Sequence, residues 1–111
     1  MSYVPNRGAI VWLNFTPQAG HEQMGMRPAL VLSPEKYNKK TGLAICCPIT
    51  SNPKGYPFEV PISGKKITGV VLADHLKNLN WKVRKVKFIE KSSREVVEQC
   101  SMKISTLIVQ S

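Results

Sequence analysis

The apolar runs in this chain are five to seven residues long, and glycine or proline flanks nearly every one. Runs of that length suit strands and fall short of an ordinary buried helix. The run 9–15 follows Gly8 and is closed by Pro17, the run 29–33 stops at Pro34, and the run 43–49 follows Gly42. Runs 58–62 and 68–73 flank Ser63-Gly64-Lys65-Lys66 as a hairpin pair. Strands this short, this close together and punctuated by turn residues predict a mainly β fold with short helices, a small barrel rather than βαβ units.

Four further stretches complete the pattern. Residues 34–42 read as one or two helical turns closed by Gly42, and 16–25 as a long loop with two glycines and a proline. Residues 81–89 alternate basic and apolar, but the phase slips between Arg84 and Lys85, which predicts a bulge or a break between two short strands. Ser92 and Glu95 fit a capping box with Ser92 at the N-cap. Beyond them Val97, Cys100, Ile104, Leu107 and Ile108 recur at three and four residues, so one amphipathic C-terminal helix is expected to pack on the barrel.

With 111 residues the chain makes one domain, 1–111, able to bury roughly two-thirds of its unfolded surface around a single core. No apolar run approaches the ~20 residues that span a bilayer, and the first eight residues lack a basic segment followed by an apolar one. A cytoplasmic protein is expected.

Charge is more informative. Sixteen lysines and arginines against seven acids give +9, and Asp74 is the only aspartate. Metal-dependent phosphodiester chemistry needs clustered carboxylates, which one aspartate and six scattered glutamates do not supply, so neither a metal site nor a cofactor is expected. A small basic domain suits a polyanionic partner, with solubility charge as the plainer alternative. The three cysteines, Cys46, Cys47 and Cys100, are odd in number and lack a C-x-x-C. Cys46 and Cys47 point to opposite faces of a strand and read as buried thiols.

Chemistry can reside in three places. Arg27, ahead of Pro28, stands where the long loop meets a strand and can offer five fixed donors to a phosphate; it reads equally as a solvated loop arginine. Thr50 ends a strand with a hydroxyl that can bond a phosphate oxygen, or simply cap a turn. Lys77, Lys82, Arg84, Lys85, Lys87 and Lys91 surround Trp81, as in a single-stranded nucleic-acid groove or a lysine-protected edge strand with Trp81 in the core. His21-Glu22-Gln-Met-Gly25 opens like a zinc helix, but glycine takes the second histidine's place.

Taken in order, the segments 8–15, 20–23, 27–33, 48–50, 54–58, 69–75 and 81–84 resemble the MazF/PemK family of toxin ribonucleases, over nearly the whole chain. The resemblance implies an SH3-like barrel that forms a homodimer. It implies cleavage of single-stranded RNA without metal, leaving 2′,3′-cyclic phosphate and 5′-hydroxyl ends. The family's catalytic glutamate, arginine and threonine fall on Glu22, Arg27 and Thr50. RNA binding is expected at His21, Lys54, His75, Lys77, Lys82 and Arg84. The implied partner is an antitoxin with an acidic, disordered tail, and DNA is reached only through the antitoxin complex. Two positions depart from the family pattern: Ala9 replaces a common aspartate, and His75 a common glutamine.

RNA carries its own nucleophile, the 2′-hydroxyl. A protein must then take that proton, protonate the 5′-oxygen and stabilise the added charge. Arg27 suits charge stabilisation, Thr50 positioning, and Glu22 the base. Arginine's pKa makes it a poor acid, so the acid stays unassigned, with His21 and His75 an attractive pair. Two other readings stand beside this one: a non-enzymatic gyrase poison of the same fold, which the ending Ile108-Val-Gln-Ser111 does not match, and an RNA-binding barrel without catalysis.

Overall fold

The computed structural model describes residues 3–16 and 25–109. Within them lie seven strands: β1 (Ala9–Asn14), β2 (Met26–Val31), β3 (Leu43–Thr50), β4 (Glu59–Ser63), β5 (Thr68–Leu72), β6 (Lys77–Asn80) and β7 (Lys87–Lys91). Helix α1 (Glu35–Thr41) separates β2 from β3, a 3-10 turn (Ala73–His75) separates β5 from β6, and α2 (Arg94–Ile108) ends the described chain.

All the pairings are antiparallel, in the order β4-β5-β3-β2-β1-β7, with β6 also on β3. Strand β3 bears the curl. One edge pairs with β2, while the other pairs first with β6, up to Cys46↔Lys77, and then with β5 from Ile49↔Val71. Pro48, with no N–H to give, falls in the gap between those two ladders. The expected mainly β, strongly curved small-barrel architecture with a C-terminal helix is what forms.

Period-two alternation sorts the side chains into two cores. Ile10, Leu30, Cys47, Ile49 and Val71 pack on one face against Cys100 of α2. Val11, Leu13, Ala29, Val31 and Cys46 pack on the other, with Trp81. Cys46 and Cys47 do face opposite ways, and all three cysteines are buried and free. Burial pushes the Cys46 and Cys47 thiols up to about 12 and Cys100 up to about 11.

Strands β4 and β7 end the sheet, and a side chain reaches across from one to the other. Glu90 on β7 accepts the backbone N–H groups of Lys65 at 3.0 Å, Lys66 at 2.9 Å and Ile67 at 2.8 Å. These three belong to the β4–β5 turn, so one carboxylate ties β7 to that hairpin.

Several expectations shift. The second strand starts at Met26, not residue 29, because β1 extends as its partner down to Asn14↔Met26. The phase slip at 84–85 is a whole turn: β6 ends at Asn80, Lys85 adopts φ 54°, and Val86 N–H returns to the Trp81 carbonyl at 3.0 Å. The N-cap is Ser93, whose Oγ accepts from Val96 N–H at 3.3 Å. Ser92 is held back from that role because its N–H donates to the Gly8 carbonyl at 2.7 Å, keeping it on the sheet. Helix α1 closes as expected, with Gly42 left-handed at φ 75°. In α2, Val97, Cys100 and Ile104 reach the core, whereas Leu107 and Ile108 are 55% and 74% exposed, Ile108 bordering an open apolar cleft with Leu32 and Ile45.

Candidate active site

One sheet face continues beyond its core into a cleft. The row Val31, Ala29 on β2 next presents Arg27, and the row Cys46, Pro48 on β3 next presents Thr50. On β6, Leu79 lies against the same core and the row ends at Lys77; after β1, Leu13 is followed on that face by Phe15. Four short strands thus each deliver a row end to one place. Phe15, Arg27, Thr50 and Lys77 line a cleft of about 540 Å³, joined by Lys54, Tyr56 and His75.

The strand ends explain the meeting. The β2–β3 ladder ends with Ala29 paired to Pro48, and Arg27 and Thr50 each follow two residues beyond that pair on the way into the cleft. Arg27 also pairs across β1 with Leu13, so its backbone is held in the sheet while its side chain is exposed. Thr50 is half-buried, and its Oγ1 accepts the Asn52 N–H at 3.2 Å, which fixes the hydroxyl at the mouth of the following turn.

The opposite wall is ordered by a carboxylate. Glu59 accepts the N–H groups of Lys54 and Gly55, each at 2.9 Å, and so shapes the loop that carries Lys54. On the lip, the Tyr56 hydroxyl donates to Asp74 Oδ1 at 3.2 Å and lies 3.5 Å from His75 Nε2. His75 Nε2 and Asp74 Oδ1 are 3.8 Å apart. Partial desolvation, then the Asp74 carboxylate, push the phenol above its ordinary pKa, so it stays a neutral donor through neutral pH. The cleft therefore sets Arg27, Lys54 and Lys77 around the Thr50 hydroxyl, with the Tyr56 phenol and the His75 ring on its lip. It can bind a phosphodiester and stabilise charge gained there. Among the described residues no three His, Cys, Asp or Glu side chains gather as metal ligands.

Arg27, Thr50, Lys54, His75 and Lys77 are thus brought together. Lys82 and Arg84 are placed elsewhere. The Lys82 ammonium lies 5.6 Å from the Trp81 ring centre, and Arg84 Nη1 donates to the Asn14 carbonyl at 3.1 Å, closing the turn against β1. Trp81 is core: 3% exposed, with Nε1 donating to the Asn38 carbonyl at 3.0 Å. His21 and Glu22 lie outside the described residues. Tyr56 and Glu59 carry no sequence signal of a site role beyond their place in or next to the segment 54–58, and Asp74 stands out in the sequence only as its one aspartate.

The chain was compared with known proteins. The family model of the PemK-like, MazF-like toxins of type II toxin–antitoxin systems matches residues 6–108. The chain is 45% identical over 106 residues to the endoribonuclease toxin MazF of Escherichia coli K12, covering 96% of each. It superposes on the crystal structure of MazF from Deinococcus radiodurans with a TM-score of 0.87 and 51% identity, over 96% of this chain and 98% of that one. A MazE–MazF crystal structure from the same organism gives 0.87 and 44%, over 99% and 100%.

Proposed function

The chain belongs to the PemK-like, MazF-like toxin family of type II toxin–antitoxin systems, and on that premise we propose that it is an endoribonuclease toxin, an mRNA interferase that cuts single-stranded RNA at selected sequences without metal. Cutting messenger RNA in the cytoplasm stops translation and growth. The observation that carries this reading is that Arg27 and Thr50, at neighbouring strand ends, line one cleft together with Lys54 and Lys77.

In the reaction, the substrate's 2′-hydroxyl attacks the adjacent phosphorus. The bond from phosphorus to the 5′-oxygen breaks, leaving a 2′,3′-cyclic phosphate and a 5′-hydroxyl. Arg27 holds the non-bridging oxygens as negative charge gathers on them, worth about 10²–10³-fold by analogy with single oxyanion donors. Thr50 orients the phosphate. Glu22 takes the 2′-proton. The proton for the leaving 5′-oxygen is assigned in this reading to His75, which stands beside Tyr56 and Asp74. The protein's own cations and the substrate's hydroxyl supply what a metal provides elsewhere, so no cofactor is needed.

The natural regulator in this reading is an antitoxin whose acidic, disordered tail competes with RNA for the basic cleft. The relative solved as a MazE–MazF complex supports it. A homodimer is proposed from the apolar side chains that α2 leaves outside, Met102, Leu107, Ile108 and Val109, beside exposed Leu76. Sedimentation at micromolar concentration as a 12.4 kDa particle would exclude it.

The decisive experiment is digestion of one long RNA in EDTA, with the cut ends mapped. Fragments whose 5′-hydroxyls accept label directly from polynucleotide kinase support the proposal. Cleavage lost in EDTA and restored by magnesium overturns the metal-free mechanism. Intact RNA with inhibited gyrase favours the gyrase poison, and RNA binding alone the non-catalytic barrel.

A further inference from the structure

Arg27 and Thr50 also border a second cleft, of about 390 Å³, on the other side of the same strand ends. Its floor is apolar: Trp12, Pro28, Ile49 and Ile67. Its rim carries Lys66 and Thr68, from the turn that Glu90 captures. An aromatic-bearing apolar floor with a cation and a hydroxyl on the rim away from Arg27 and Thr50 is the chemistry that holds one nucleotide: the base lies on the floor and the phosphate meets the Lys66 ammonium. The residues shared with the first cleft make the two continuous.

We infer that this second cleft seats a neighbouring nucleotide of the same RNA strand, that Lys66 contacts its phosphate, and that Glu90 is a positioning residue holding Lys66 there. The inference rests on the endoribonuclease reading above. Glu90 has the geometry for the task. Its two oxygens accept the N–H groups of Lys65, Lys66 and Ile67, while Gly64 N–H closes the turn on the Ile67 carbonyl at 2.8 Å. At Gly64 a Cβ would stand 2.5 Å from Glu90 Oε2, so glycine lets the carboxylate come this close. The tip is joined to the catalytic strand as well. At Gly69, φ +153°, a Cβ would stand 2.1 Å from the Thr50 carbonyl oxygen, so β5 lies hard against the end of β3. Displacing the tip moves Lys66 away from the neighbouring nucleotide's phosphate, on a strand whose scissile phosphate is anchored by Arg27 and Thr50.

The test uses the full chain and two oligoribonucleotides with the same cut site. One is a short substrate, and the other is extended by three nucleotides on both sides. The readout is the ratio of their KM values. For the wild type the extended substrate should have the lower KM, by about fivefold, as one phosphate contact and one stacked base would give. In Lys66→Ala the ratio should fall to near one and the salt slope of log KM on the extended substrate should decrease by about one, with the loss in KM rather than kcat. Glu90→Ala should do the same. Glu90→Gln should recover most of the ratio, because its remaining oxygen can serve the Lys66 and Ile67 N–H groups. The double variant should be no worse than either single, since both act through one contact. Lys39→Ala, on α1, should change nothing.

A ratio that persists in Lys66→Ala overturns the subsite. A Glu90→Ala variant that loses kcat equally on both substrates overturns the positioning role, and if that variant does not fold, Glu90→Gln and Lys66→Ala still decide. A wild type that cuts neither substrate overturns the endoribonuclease reading instead.

Discussion

Arg27 on β2 and Thr50 on β3 each lie two residues beyond the Ala29↔Pro48 pair that ends the β2–β3 ladder, and both line one cleft. Neither side chain belongs to a core cluster. Their positions are inherited from the buried residues behind them, Ala29 and Val31 in one row and Pro48 and Cys46 in the other.

Replacing Arg27 by Ala should lower kcat by at least 10²-fold while leaving thermal unfolding within a degree or two, since an exposed side chain is removed. Thr50→Ala should lose most activity and Thr50→Ser keep much of it, because the hydroxyl survives. Single-turnover cleavage of a fluorescent RNA checks both, and equal behaviour of the two Thr50 variants would rule the hydroxyl out.

Asn38→Ala should destabilise by about 2–4 kcal/mol without touching the cleft. Asn38 is fully buried; its Nδ2 donates to the Pro5 carbonyl at 2.8 Å and the Ser33 carbonyl at 3.0 Å, and its Oδ1 accepts from Ser33 Oγ. Removing the amide orphans both carbonyls. Urea unfolding of the variant measures the loss, and a change below about 0.5 kcal/mol would contradict the account.

The cysteines should resist alkylation in the folded protein at pH 8. Thiols pushed to about 11 or 12 by burial carry almost no thiolate there. Mass measurement after iodoacetamide should find no adduct natively and three adducts in guanidinium.

Acid should loosen the β7 clasp. The Lys66 N–H, with those of Ile67 and Lys65 and the Lys66 charge, holds the Glu90 carboxyl below its ordinary 4.5, against a smaller desolvation effect. A carboxyl with a folded-state pKa below its unfolded one stabilises the fold above about 4.5, and that contribution is lost as pH falls through the folded-state value. Unfolding midpoints between pH 6 and 3 should therefore drop less steeply in Glu90→Gln than in the wild type. Parallel curves would show that the carboxylate charge does not matter.

Much of the fold was legible because its signals are local. Turn residues and period-two alternation place β1, β3 and the β4–β5 hairpin, put Cys46 and Cys47 on opposite faces and stop α1 at Gly42. The resemblance of the ordered motifs to the MazF/PemK family pointed to Arg27 and Thr50 with no contact in view. Tertiary structure decided the rest. A basic run cannot say which of its members faces a cleft: register sends Lys77 there, while Arg84 turns to the Asn14 carbonyl and Trp81 enters the core. Ser92 and Ser93 are locally equivalent caps until the Gly8 carbonyl claims the Ser92 N–H. Leu107 and Ile108 keep helical periodicity beyond the residues of α2 that reach the core. Periodicity is a property of neighbours along the chain, whereas the cleft, the clasp at Glu90 and the exposed helix end depend on which distant strands lie side by side.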